Sequence, residues 1–393
     1  VSYSPVTAKW SVKAPGVSWK PEGLEKWGTD RVDPIEMIKS SLNCARVTVR
    51  DAQVETDPIS GEEKVKKVVN PAETLAAQQK QSALEDRFAA WVWEDEKRAS
   101  RLAKEYNERF NSIVPRAFDG AELRFPDMNS GIALRPWQRD AVARILQGRT
   151  GTLLAHTVGA GKTMEFCAGA MESKRLGLCN KPMIVVPNHL VDQTAAEFLT
   201  LYPAARLLVA RKEDFKKENR RALMARTATG DWDSIIVGQS QFEMLPLSPA
   251  AQKTYVQQRI DEFQEACRIA KEQAGKRDPT VKEMERQLAK FQARMEALIK
   301  EERKDDAGGI TFDATGVDML VVDEAHAYKN LALQTKMSRV AGVASHGSQR
   351  SEDMLMKTRW LRERYGGRNI VFATGTPVSN SMVELYNMQT YLD

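Results

Sequence analysis

An open sheet of parallel strands with helices on both faces is the fold this sequence predicts, preceded by a mostly helical segment and interrupted by a helical hairpin. Three observations point there. Short apolar runs recur from about residue 131 onward. They do not alternate with polar residues, as suits strands covered on both faces. Helix-like segments such as MEFCAGAMESKRLG lie between them, which favours crossover connections and a parallel order.

The elements follow in chain order. Residues 1–30 are rich in Trp, Lys, Pro and Gly without a period, and are expected to form a linker or strap. An accessory segment is expected over 31–130. Within it, ARVTVRDAQV and EKVKKVV flank the turn-like DPISGEE, the pattern of a β-hairpin over 46–69. Asn70-Pro71 then opens a helical stretch to about residue 111, because Asn caps well and Pro suits a first turn. Trp91 and Trp93 in that stretch are expected to be packing anchors.

The α/β domain is expected over 131–393. Its strands are read at TLLA (152–155), PMIVVP (182–187), RLLVA (206–210), SIIVG (234–238), MLVVDE (319–324) and NIVFATG (369–375). Residues 250–306 break the rhythm with two charged helical stretches around AGKRDPT, where Gly275 and Pro279 should end one helix and begin another. Met284, Leu288, Phe291, Met295 and Leu298 form one stripe there, so a projecting, self-packed hairpin insertion is expected.

Composition narrows the function class. The net charge is +5, with residues 1–130 at −1 and the remainder at +6, mild support for a polyanionic partner. The apolar runs are strand-sized, and no basic start precedes an apolar stretch, so neither membrane span nor signal peptide is read. Cys44, Cys167, Cys179 and Cys267 are scattered and unmatched by histidines, which reads as reduced thiols in a cytoplasmic protein without a zinc site. A first residue of valine points to a piece of a longer chain.

Two motifs carry chemistry. In LLAHTVGAGKTMEF (153–166), Gly159, Ala160 and Gly161 can turn backbone N–H groups inward around phosphates. Lys162 can reach the outer phosphates and Thr163 can hold Mg²⁺, with the helix dipole favouring an anion there. The first glycine of the full loop pattern is replaced by His156. In VVDEAH (321–326), a strand ends in Asp323 and Glu324. Asp323 suits the hydration shell of Mg²⁺, and Glu324 suits activation of a water. Both motifs would face one crevice at the carboxyl ends of the strands.

Together GAGKT and DEAH resemble the nucleotide site of superfamily-two helicases and translocases, and further motifs match that family in order. LRPWQRDAVARIL (134–146) is similar to the glutamine motif, which implies that Gln138 reads the adenine edge. VVPNHLVDQ and VGQSQFEML resemble backbone-contact segments, which implies nucleic-acid contacts at Asn188, His189, Gln239, Ser240 and Gln241. DEAHAYKN resembles the Swi/Snf form of the box, with Lys329 and Asn330 as further contacts. FATGTPVSN resembles the coupling motif, which implies that His326, Thr374, Gly375 and Thr376 link nucleotide to DNA.

The resemblance implies a RecA-like first lobe that binds ATP and Mg²⁺ and moves on DNA, double-stranded by preference. It implies catalytic roles for Lys162, Asp323 and Glu324. It also implies a second RecA-like lobe beyond Asp393, so that turnover by this stretch alone is expected to be incomplete. QSALEDRFAAWVW, AMESKRLGLCNKPMIVVPNHL and GTPVSNSMVELYNMQTYL further resemble large phage and mobile-element proteins, in which a methyltransferase precedes the motor. A DNA-binding and docking platform and the motor subunit of a restriction enzyme are the alternative readings.

Overall fold

The computed structural model describes residues 1–4, 9–13, 21–56, 63–112, 114, 116–216, 218–274, 279–302, 311–331 and 348–393. The chain divides into two compact units, residues 1–116 with 269–281, and residues 117–268 with 282–393. Of the turns read in the sequence, residues 57–62 and 275–278 lie outside the described residues.

In the first unit, β1 (Ser2–Ser4) and β2 (Lys9–Ser11) pair antiparallel, with the Tyr3 and Trp10 rings 4.9 Å apart. The expected strap therefore contains a small ladder, held by a cross-strand aromatic pair. Two helices follow, α1 (Pro21–Trp27) and α2 (Pro34–Leu42), the latter capped by the Asp33 carboxylate. β3 (Arg50–Thr56) and β4 (Glu63–Val69) make the expected hairpin.

Asn70 caps α3 (Pro71–Glu94) by accepting from the Glu73 N–H, as its position in the sequence implies. The helix does not run on to residue 111. Asp95 breaks it and caps α4 (Glu96–Phe110), accepting from the Arg98 N–H at 2.6 Å. Met37, Val47, Val49 and Ala77 form the small core of this unit. Trp91 and Trp93 are not part of it. Trp91 lies under the Arg98 guanidinium at 3.7 Å, and Trp93 is 66% exposed.

The second unit holds a six-stranded parallel sheet among its described residues, with helices around it. In chain order it runs α5 (Pro136–Gln147), β5 (Thr152–Leu154), α6 (Lys162–Arg175), β6 (Pro182–Val186), α7 (Val191–Leu201), β7 (Leu207–Ala210), α8 (Arg220–Thr229), β8 (Ser234–Gly238), α9 (Gln239–Glu243), the hairpin α10 (Pro249–Ala274) and α11 (Pro279–Glu302) except for residues 269–281, β9 (Met319–Val322), α12 (Gln349–Tyr365), β10 (Ile370–Ala373) and α13 (Met382–Leu392). The strand order is β5-β10-β9-β6-β8-β7.

The continuous apolar runs have a direct cause. Met183 and Val185 of β6, Leu320 and Val322 of β9, and Ile370 and Phe372 of β10 enter one core. Their neighbours Ile184 and Val186, Met319 and Val321, and Val371 and Ala373 enter the other, with α5, α6 and α7. Successive side chains point to opposite faces, and both faces here are covered.

The hairpin differs in part from expectation. Phe263 and Phe291 meet at 5.4 Å between ring centroids with Arg259 across both, which is self-packing. But Leu298 is buried in the sheet core, and Arg294 reaches Glu352 of α12 at 3.6 Å, so the base is docked rather than projecting. The Met284 side chain lies outside what is described.

Residues 117–130, read in the sequence as accessory, belong with the sheet. Arg139 of α5 donates to the carbonyls of Gly120, Ala121 and Leu123, and the Asn129 N–H donates to the Leu201 carbonyl. On α12, Lys357 is fully buried, its Nζ donating to the Phe242 carbonyl at 2.9 Å and to Asp353 at 2.5 Å. Among the described residues no helix is long and apolar enough to cross a membrane.

Candidate functional site

Strand register brings the chemistry-bearing loops to one edge. Leu154 of β5 pairs with Ala373 of β10, and Phe372 pairs with Val322 of β9. The segments that follow, 155–161, 374–380 and 323–330, therefore leave the sheet side by side at its carboxyl end.

The first segment curls before α6. Gly159 (φ +83°) and Gly161 (φ +88°) occupy the left-handed region, which a side chain disfavours. Lys162 opens the helix, and its ammonium donates to the His156 and Thr157 carbonyls at 3.0 and 3.1 Å. The His156 imidazole turns away into α6, with Nδ1 2.8 Å from Glu165 Oε1. Thr163 is half-buried in the first turn and lines a cavity of about 110 Å³ with Met164, Cys167 and Glu197.

Gln138 is buried against this loop. Its Nε2 donates to the Ala160 carbonyl at 3.0 Å and its Oε1 accepts from the Arg135 N–H at 2.9 Å. Both ends of the amide are thus committed within the protein. The neighbouring Trp137, which sequence reasoning passed over, is 42% exposed, and its indole N–H also points at the Ala160 carbonyl, 3.4 Å away.

At the end of β9 the Asp323 N–H donates to the Val185 carbonyl, and its carboxylate accepts from the Glu324 N–H at 2.9 Å. Burial pushes Asp323 up to about 6, with the Lys162 charge acting the other way. Glu324 is held at φ +49°, in the left-handed region. Its carboxylate lies 3.0 Å from His326 Nδ1, which is 3.3 Å from the Thr374 hydroxyl. The buried Thr374 donates its N–H to the Leu154 carbonyl and accepts from the Thr376 N–H. Gly375 completes the contact. A Cβ there would come within 2.9 Å of Val158 and 3.7 Å of the Lys162 ammonium.

The residues read as nucleic-acid contacts do not stay together. Asn188 and Ser240 join the loops after β6 and β8, the Asn188 amide donating to the Ser240 hydroxyl at 2.7 Å and accepting from the Ser240 N–H. Asn188, His189 and Asn330 are exposed. Gln239 and Gln241 are buried instead. Gln239 donates to the Asp323 carbonyl at 3.2 Å, and Gln241 packs against Gly238, where a Cβ would meet its Oε1 at 2.4 Å. Lys329 is also engaged inside the fold, paired with Glu384 of α13 at 3.0 Å. These three side chains thus serve as internal braces of the site.

Glu384 was missed in the sequence, although Ser381, three residues before it, is a capping signal. Its carboxylate also accepts from the Ser379 and Asn380 N–H groups, tying the 374–380 loop to Lys329. A cavity of about 790 Å³ lies elsewhere. It is lined by Arg149, Asp261, Arg359, Arg362 and Glu363, near the starts of β5 and β10, at the other end of the strands from the loops.

Comparison with known proteins follows the two units. Residues 144–393 match a family described as a probable helicase domain, and residues 1–112 match a domain of unknown function. The chain is 23% identical over 349 residues to "Defense against restriction protein B" of Escherichia phage P1, covering 79% of this chain. It spans only 15% of that relative's length. Among solved structures, the Sulfolobus solfataricus SWI2/SNF2 ATPase core in complex with dsDNA aligns with 69% of this chain and 38% of its own. The identity is 15% and the TM-score 0.37.

Proposed function

The chain belongs to the probable helicase domain family, and on that premise we propose that its sheet unit is the ATP-binding lobe of a motor coupling ATP hydrolysis to movement on double-stranded DNA. The observation that carries this reading is the meeting of three loops at one sheet edge. The Lys162 ammonium, the Asp323–Glu324 pair and Gly375 all lie around the glycine-bearing curl.

The residues fit a triphosphate with its Mg²⁺. Left-handed glycines free the loop N–H groups to face phosphate oxygens, and Lys162 supplies a positive charge beside them. Thr163 and Asp323 would hold Mg²⁺, which supplies charge neutralisation on the phosphates when bound. Glu324, held in a rare backbone region, is the base that takes a proton from the attacking water. The adenine is proposed to lie near Gln138, against the exposed face of Trp137. His326, Thr374, Gly375 and Thr376 would report the state of the phosphates to the loops that touch DNA.

DNA contact is proposed for Asn188, His189, Ser240 and Asn330, which remain at least partly accessible. Such contacts are to the backbone and carry no direct sequence information. A second lobe, bearing an arginine finger, would complete the site, so residues 1–393 alone should bind ATP and hydrolyse it poorly. Similarity to a phage protein named for defence against restriction supports an anti-restriction setting for the whole protein, with a methyltransferase as a proposed neighbour. The test is the ATPase rate of a chain extended through the second lobe, with and without double-stranded DNA. A rate indifferent to every nucleic acid would refute the motor.

A further inference from the structure

We propose that His156 and Glu165 are a positioning pair: a buried carboxylate grips the imidazole at the entry to the phosphate loop and so fixes the Lys162 ammonium. The inference rests on the ATP-binding reading and extends it to two residues outside its chemistry.

Glu165 is fully buried near the start of α6, an unusual place for a carboxylate. One oxygen lies 2.8 Å from His156 Nδ1, and the other is buried with no hydrogen-bond partner among the described residues. A buried carboxylate so poorly compensated contributes little to stability. Its retention therefore needs a reason other than stability.

The geometry supplies one. Lys162 and Glu165 stand three residues apart on the first turn of α6, hence on one face of the helix. Lys162 holds residue 156 by its carbonyl, and Glu165 holds the same residue by its side chain. The turn thus grips the loop entry at two points, and the position of the ammonium follows from both. His156 is also where the full phosphate-loop pattern has a glycine. An anchored imidazole there does by tethering what a tight glycine turn would do by backbone shape.

ATP affinity in the presence of Mg²⁺, read by isothermal titration calorimetry on residues 1–393 alongside thermal melting, tests the pair. Glu165→Leu should bind ATP about tenfold more weakly while melting no lower than the parent. Glu165→Gln, whose carbonyl still accepts from Nδ1–H, should recover most of the affinity. His156→Ala should match Glu165→Leu, and the double variant should be no weaker than either single one. Undiminished affinity in Glu165→Leu overturns the proposal, as does equal loss in Glu165→Gln. A ¹⁵N histidine spectrum should show the proton of His156 on Nδ1 and its departure in Glu165→Leu. Nδ1 without a proton refutes the pair even if the parent binds no ATP, a result that would itself fall on the ATP-binding reading.

Discussion

Substituting alanine for Gly161 gives the sharpest test of the phosphate loop, because two separate costs can be read from its surroundings. The residue sits at φ +88°, where a side chain costs about 1–2 kcal/mol. A Cβ there would also stand 2.3 Å from Gln138 Nε2, so that amide must leave and its bond to the Ala160 carbonyl is lost. That bond is worth about 1 kcal/mol. The sum, about 2–3 kcal/mol, predicts ATP binding weaker by roughly 30- to 150-fold. Gly159 is the internal control. It has φ +83° but nothing within 4 Å of an added Cβ, so Gly159→Ala should carry only the conformational cost. Calorimetric titration with ATP measures both variants. In a Gln138→Ala background the steric cost vanishes, so the two substitutions should couple by about 1 kcal/mol. Full additivity, or equal losses for Gly159→Ala and Gly161→Ala, would refute the packing of Gln138 on the loop.

Three further outcomes are expected. In a chain that includes the second lobe, Lys162→Ala should lose ATP binding, whereas Glu324→Gln should retain ATP uncleaved, as assayed by filter-retained nucleotide and released phosphate. Lys357→Met removes a fully buried cation and strands Asp353 and the Phe242 carbonyl; because Asp353 keeps 24% side-chain exposure, the loss should be about 3 kcal/mol in urea unfolding. Adding Asp353→Leu should recover most of it. The third concerns acid. Lys174 and then Arg206 hold Asp231 down to about 2 from 3.8, so its contribution is present above pH 3.8 and lost as the pH falls toward 2. Asp231→Asn should flatten that part of the acid unfolding curve.

The strands of the sheet were legible because burial on both faces leaves an unbroken apolar run. Asn70 was legible because capping is local chemistry. What escaped was set by tertiary contacts. Asp95 is the exception: its cap on the Arg98 N–H is as local as that of Asn70, but within WEDEKR it reads as one more charge. Gln239 and Gln241 were expected to touch nucleic acid, but they follow β8, which pairs with β6, and are buried there, Gln239 against the Asp323 carbonyl. Lys329 sat in a motif that suggests contact with nucleic acid, and Glu384, far along the chain, claimed it. Lys357 carries no sequence sign of burial among the charges of α12. Of the candidate site, the loop and the carboxylate pair could be read directly. The braces around them could not, because each depends on a partner brought near only by the fold.

The strand order also has a consequence for how the protein is made. Among the described residues, β5, which leads into the phosphate loop, pairs with β10 alone, while β6, β8 and β7 pair among themselves from a contiguous stretch of chain. On a ribosome adding about 5–20 residues per second, β5 would wait roughly ten to forty seconds for its neighbour. Closing so long a loop costs little extra at equilibrium but slows folding. Throughout that interval the nascent chain would expose an apolar strand without a mate. Nucleotide could not rescue it, since the lysine's curl and the carboxylates are brought into register by β10, which pairs with both β5 and β9.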